Sequence, residues 1–210
     1  GTITSVVSAN QAAGFSVVKH TGTGSAATVG HGLSSTPELI IRKDLDATTD
    51  WWVYAPVSPY FGYLNNTDAF NSANNAAYSY NQTVPTSTIF NVGNTYSGNV
   101  NNNDYIAYCF TSISGYSKVG TYTGTANSNP QSTGFQPGFV MIKRTDNTGN
   151  WLIFDSGRGA QNELYANLSD SEYNAGGGSN SFSATGFTPQ TAGAWNLNGA
   201  TYIYLAIKEN

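Results

Sequence analysis

Pro37–Pro56 reads PELIIRKDLDATTDWWVYAP, and Pro137–Ser156 reads PGFVMIKRTDNTGNWLIFDS, the same pattern about a hundred residues further on. Each copy opens on proline and runs apolar, over Leu39–Ile41 in the first and Phe139–Ile142 in the second. Both runs end on a basic pair. A polar patch follows, Asp44–Asp50 or Thr145–Asn150, and a second apolar run begins at Trp51 or Trp151. Runs of β-branched and aromatic residues flanking an Asp/Asn/Thr/Gly patch form a strand, a loop and a strand. The repeated unit is therefore a β-hairpin.

The echo extends beyond the hairpin. VVKHTGTG from Val17 matches VGTYTGTA from Val119, YLNNTD from Tyr63 matches YANLSD from Tyr165, and YIAYCF from Tyr105 matches YIYLAI from Tyr202. The offsets stay between 97 and 102 residues, so insertions fall in loops while the strands keep their order. Two similar halves result, residues 14–114 and 115–210, and residues 1–13 read as a connecting arm. Helical periodicity is nearly absent: the longest candidate, DAFNSANNAAYSYN from Asp68, is interrupted by four Asn. Many short strands with frequent turn signals predict a sandwich or barrel. The fold class expected is all-β: two tandem antiparallel β-sandwich units, jelly-roll or concanavalin-like, packed into one compact body. In the last strand of the first half, Tyr105, Ala107 and Cys109 alternate with Ile106, Tyr108 and Phe110. Both of its faces are apolar, which predicts a central strand.

Composition narrows the function classes. Charged residues make up only 10% of the chain and aromatics 13%, the reverse of the balance that disorder needs. With net charge −4 and eight Lys and Arg scattered along the sequence, no basic stripe exists to neutralise phosphates, so nucleic acid is not an expected partner. No apolar run approaches the roughly 18 residues of a membrane helix, and no membrane insertion is expected. The start at Gly1 without Met reads as a piece of a longer chain. The single cysteine, Cys109, excludes an intrachain disulfide and reads as a small core residue.

Glycoside hydrolysis needs two carboxyl groups facing one bond. Glu38, Glu163, Glu172 and Glu209 are isolated in sequence, and no Glu-x-Asp-x-x-Glu run occurs. Asp44, Asp46 and Asp50 fall at calcium-loop spacing, with Thr49 where the loop's glycine belongs and Ala55 where its bidentate Glu belongs. Only a weak metal candidate results, and a solvated hairpin turn is the expected reading. His20 and His31 are matched in the second half by Tyr122 and a position near Thr133, and read as surface or loop residues. No cofactor is expected. Trp51 and Trp151 occupy equivalent places and read as core, whereas Trp52, matched by Leu152, points the other way. Trp52 is therefore the candidate for a ligand surface, with Tyr60, Tyr63, Tyr78 and Tyr80 around the Asn-rich segment.

AGFSVVKHTGTGSAATVGHGLSSTPELIIRK from Ala13, DWWVYAP from Asp50 and YIAYCF from Tyr105, taken together, resemble a repeated β-sandwich module of bacteriophage virion proteins, from phages of marine bacteria and cyanobacteria. That module sits in tail fibres and other particle-surface proteins and is similar in build to concanavalin-like or laminin-G-like sandwiches. The second half departs from it by lacking the Gly-His-Gly-Leu turn of Gly30–Leu33. The resemblance brings no catalytic or ligand residues with it. It implies a non-enzymatic structural or adhesion module on the virion surface. Other virion proteins, further copies of the chain in a trimer and host surface glycan are its implied partners. A tail-fibre polysaccharide depolymerase and a capsid decoration protein are the alternatives.

Overall fold

The computed structural model describes residues 1–57, 61–70, 83–94, 98–174, 180–189 and 193–210. Among them the chain is all-β, without helix, and its sheets are antiparallel. Two compact units divide it: unit 1 takes Gly1–Leu64 and Phe70–Thr111, and unit 2 takes Asn65–Ala69 and Ser112–Asn210.

Unit 1 contains β1 (Ser5–Asn10), β2 (Phe15–Thr21), β3 (Ala27–Gly30), β4 (Leu39–Asp44), β5 (Trp52–Tyr54), β6 (Phe61–Tyr63), β7 (Ile89–Val92) and β8 (Asp104–Phe110). Six of them form one sheet in the order β1-β2-β8-β4-β5-β6, and β3 pairs with β7 in a second, two-stranded sheet. Val29, Phe90 and Val92 of the small sheet join Val18, Ile40, Tyr54, Phe61 and Ala107 of the large one in a single buried cluster. Burying each large side chain of this kind contributes about 1.5–3 kcal/mol. The predicted central strand, β8, lies between β2 and β4.

Residues 1–13 are not a connecting arm. β1 pairs with β2 from Ser5 opposite His20 to Asn10 opposite Phe15, and Ile3 is buried in the unit 1 core. As an edge strand β1 leaves Val6 and Val7 exposed, so it has no alternation to read.

Unit 2 contains β9 (Ser117–Thr123), β10 (Gln131–Ser132), β11 (Pro137–Arg144), β12 (Trp151–Asp155), β13 (Asn162–Tyr165), β14 (Tyr173–Asn174), β15 (Ser181–Ser183), β16 (Gly186–Thr188) and β17 (Thr201–Lys208). Its large sheet runs β14-β13-β12-β11-β17-β9, and β10, β16 and β15 form a small one. Read from β9, this is the order of unit 1 from β2, so the sequence echo is also a topological one. The five residues Asn65–Ala69 belong to this unit: Thr67 O accepts from Lys143 Nζ at 3.0 Å and from Gly149 N at 2.8 Å.

The registers show how the two cores differ at equal positions. Val18 stands opposite Ala107 in unit 1, and Gly120 stands opposite Tyr204 in unit 2. A Cβ on Gly120 would lie 2.4 Å from the Tyr204 hydroxyl, so the large residue of the pair has moved to the other strand. Gly120→Ala is expected to cost about 1–3 kcal/mol by overpacking. Thermal unfolding of the variant checks this, and an unchanged Tm would contradict the tight fit.

The repeated Thr-Gly-Thr after β2 and β9 has a packing cause. A Cβ on Gly22 or Gly124 would lie 2.1 Å from the Val100 or Leu197 carbonyl oxygen. Each loop is then held by a fully buried asparagine. Asn99 accepts from Thr23 N and donates to Ser25 O, and Asn196 accepts from Thr125 N and donates to Asn127 O. Six residues beyond each asparagine, Tyr105 and Tyr202 accept at the phenol oxygen from Val100 N and Leu197 N.

Candidate functional site

Both histidines are buried: His20 lies on β2, against the surface or loop position expected for it, while His31 lies in a loop after β3, as expected, with its side chain turned inward. β2 turns Ser16, Val18 and His20 to the interior, where the His20 ring stacks on Tyr105 with centroids 5.2 Å apart and planes 10° apart. Burial first, then the Arg42 charge, pulls its pKa down to about 4, so the ring is neutral at physiological pH. Tyr122 stacks on Tyr202 in the matching place. His31 is also fully buried: Leu33 N donates to its Nδ1 at 3.1 Å, and its Nε2 lies 3.1 Å from Thr86 O. Thr133 does the same work in unit 2, its Oγ1 accepting from Phe135 N. Both histidines are thus framework residues.

The aspartates of the first hairpin brace its loop. Asp44 Oδ1 accepts from Asp46 N and its Oδ2 from Asn103 Nδ2, while Asp46 Oδ2 accepts from Asp104 N. Such bonds to nearby backbone are what Asp offers in turns. Among the described residues no group of three or more His, Cys, Asp or Glu is arranged to hold a metal ion. Cys109 lies in the apolar core, where burial pushes its thiol up to about 12, and Ala206 takes its place in unit 2.

Trp151 is buried as expected, but the facing expected for Trp51 and Trp52 is reversed. Trp52 is 5% exposed and packs on the rings of Phe61 and Tyr63, 5.6 and 4.8 Å away, while Trp51 is the half-buried one. The indole contributes more by filling the core than by facing solvent, so it forms no ligand surface. Tyr63 is half-buried beside it. Tyr60, Tyr78 and Tyr80 lie outside the described residues, as does most of the Asn-rich segment.

A cleft does exist at the corresponding place of unit 2. β12 and β13 pair with Leu152 opposite Tyr165, as β5 and β6 pair with Trp52 opposite Tyr63. Position by position, the Trp52, Phe61 and Tyr63 of unit 1 become Leu152, Glu163 and Tyr165. Two large rings are lost, and a carboxyl stands where a core phenylalanine stood. Beside it, Tyr165, Asp170, Ser171, Glu172 and Tyr173 line a cleft of about 350 Å³. That volume lies at the lower end of the range for small-ligand sites, roughly 300–1,000 Å³.

The turn after β12 fixes one wall. Asp155 Oδ1 accepts from Arg158 N at 2.8 Å, and the Arg158 guanidinium then joins Asp155 Oδ2 at 2.6 Å to Glu172 Oε2 at 2.9 Å. β14 pairs with β13, with Tyr173 opposite Glu163, which puts both side chains on one face. Glu163 is 1% exposed and accepts from the Tyr165 hydroxyl at 3.3 Å. Its burial raises the carboxyl pKa. Tyr165 is raised as well, by burial first and then by the charge and hydrogen bond of Glu163, with Asp170 adding a smaller push. Tyr173 is 57% exposed, so an aromatic face is open to solvent at the rim.

Along its whole length, residues 1–210, the chain matches the family described as Domain of unknown function (DUF7483). It belongs to that family. No curated protein and no solved structure matches it. In this DUF7483 chain Glu172 lines the cleft, and Glu163 lies buried next to it, accepting from the Tyr165 hydroxyl; the two look isolated in sequence until β14 folds back on β13. The signal that finds Glu163 is the mismatch between halves, a glutamate aligned with Phe61 inside an otherwise matching strand.

Proposed function

We propose that the chain is a non-enzymatic structural and adhesion module of bacteriophage particles, carried in a tail fibre or another particle-surface protein. Its unit 2 cleft takes host surface glycan, and its other partners are virion proteins and further copies of itself in a trimer. One observation carries the glycan reading: a cleft of about 350 Å³ sets Tyr165 and exposed Tyr173 beside Asp170, Ser171 and Glu172. A pyranose ring has an apolar C–H face that packs on tyrosine and hydroxyls that donate to carboxylates, and both halves of that demand are present here. The doubled all-β core, built on aromatic and aliphatic burial with 10% charged residues, suits a protein exposed outside a cell.

The test is retention of bacterial envelope polysaccharide by the immobilised chain. Wild-type protein retains it without releasing new reducing ends, and Tyr173→Ala lowers retention about ten-fold or more, as loss of an aromatic anchor does. Release of oligosaccharides would overturn the non-enzymatic reading. Equal retention by Tyr173→Ala would remove the cleft from it.

A further inference from the structure

The residues that line the cleft include two carboxylates and no basic side chain. Asp170 and Glu172 line it, Asp155 lies behind the Arg158 turn, and the Arg158 guanidinium is already shared between Asp155 and Glu172. Glu163 adds a fourth carboxyl next to Tyr165, and its Oε1 has no hydrogen-bond partner among the described residues. Burying such a group is costly unless it is paired. The fold does not ask for it, because unit 1 fills the same place with Phe61, packed against Trp52 and Tyr63. A carboxyl kept there at a cost to packing, with tyrosines in front of it, is suited to a positive ligand.

We propose that the unit 2 cleft selects glycans bearing free amino groups, whose ammonium lies against Tyr165 and Tyr173 within reach of the acidic wall, over N-acetylated or acidic glycans. The inference rests on the glycan-binding reading above and names the sugar class. An ammonium over a tyrosine face is attracted by the ring quadrupole, and carboxylates behind the ring add to that attraction. The same field repels uronic acids and gains nothing from an acetamide. Glu163 acts through Tyr165: as long as its carboxylate accepts the phenol proton, the phenol oxygen presents a lone pair to the ligand.

The experiment is calorimetric titration of the 210-residue chain at pH 6 with three tetramers: glucosamine, N-acetylglucosamine and galacturonic acid. The glucosamine tetramer is expected to bind at least ten-fold more tightly than its acetylated counterpart, and galacturonate not at all, with the advantage shrinking as salt rises. Tyr173→Ala is expected to weaken glucosamine binding about ten-fold. Glu163→Phe, which gives unit 2 the residue of unit 1, is expected to weaken it at least five-fold with Tm unchanged or higher. Retained affinity in Glu163→Phe would remove Glu163 from the site. If the acetylated or acidic tetramer binds as well as glucosamine and loses affinity in Tyr173→Ala, amine selectivity is overturned while glycan binding stands. If glucosamine binds equally to Tyr173→Ala, it sits elsewhere and the inference is overturned. Silence from all three tetramers overturns it too, leaving glycan binding to the envelope-polysaccharide test.

Discussion

Asn196→Leu is expected to lower the stability of unit 2 by roughly 4 kcal/mol, the sum of four hydrogen bonds lost from one buried amide at about 1 kcal/mol each. The Asn196 side chain is fully buried and accepts from Thr125 N at 2.9 Å and Asn129 Nδ2 at 3.1 Å. It donates to Asn127 O at 2.6 Å and to Pro189 O at 3.3 Å. Leucine fills much the same volume and satisfies none of these, so four polar groups that converge on one buried amide lose it at once. A denaturant titration reads the difference directly. A loss under about 1 kcal/mol, the ordinary size for a point substitution, would mean that water replaces the amide and that it does not hold the loop.

The second large effect is a dependence on acid. The folded His20 pKa is about 4, against an ordinary 6.5, because the ring is buried on Tyr105 with Arg42 near. Below pH 6.5 the unfolded chain binds a proton that the folded chain refuses. His20 therefore subtracts stability progressively from pH 6.5 down to about pH 4, by about 3 kcal/mol in total. His20→Phe, which keeps an aromatic ring on Tyr105 as Tyr122 does on Tyr202, removes that slope. Unfolding free energies at pH 7, 5.5 and 4.5 check it: the gap between variant and wild type should widen in favour of phenylalanine as pH falls. A constant gap would place the acid sensitivity elsewhere.

Much of this architecture is legible before any coordinates, because it rests on side-chain alternation and on repetition. The paired hairpins at Pro37 and Pro137 form as read, and β8 lies inside its sheet, as its doubly apolar faces imply. Three features escape for physical reasons. β1 is an edge strand with water on most of its surface, so no burial pattern marks it. Trp52 is buried where a ligand surface was expected because the whole of β5 is buried and alternation there carries no information. His20 looks polar, yet its ring is flat enough to stack where the other repeat puts tyrosine. Asn99 and Asn196 left a usable trace, each six residues before the tyrosine it works with.

The site was harder to read. Glu163 and Tyr173 lie on neighbouring strands joined by a polar loop, and the sequence gives no sign that they share a face. Of the aromatic candidates of the first half, Trp52 and Tyr63 occupy the place in unit 1 that corresponds to the cleft of unit 2. Around Tyr63 the rings close on one another, and around Tyr165 the same frame is left open.

The exchange of Val18 and Ala107 for Gly120 and Tyr204 also bears on how a chain of two look-alike halves avoids tangling. If β2 annealed to β17 during folding, valine would meet tyrosine across the register and collide; if β9 annealed to β8, glycine would face alanine and leave a hole. Each wrong marriage is penalised and only the native couples interlock. The two halves can therefore share a blueprint without trading parts.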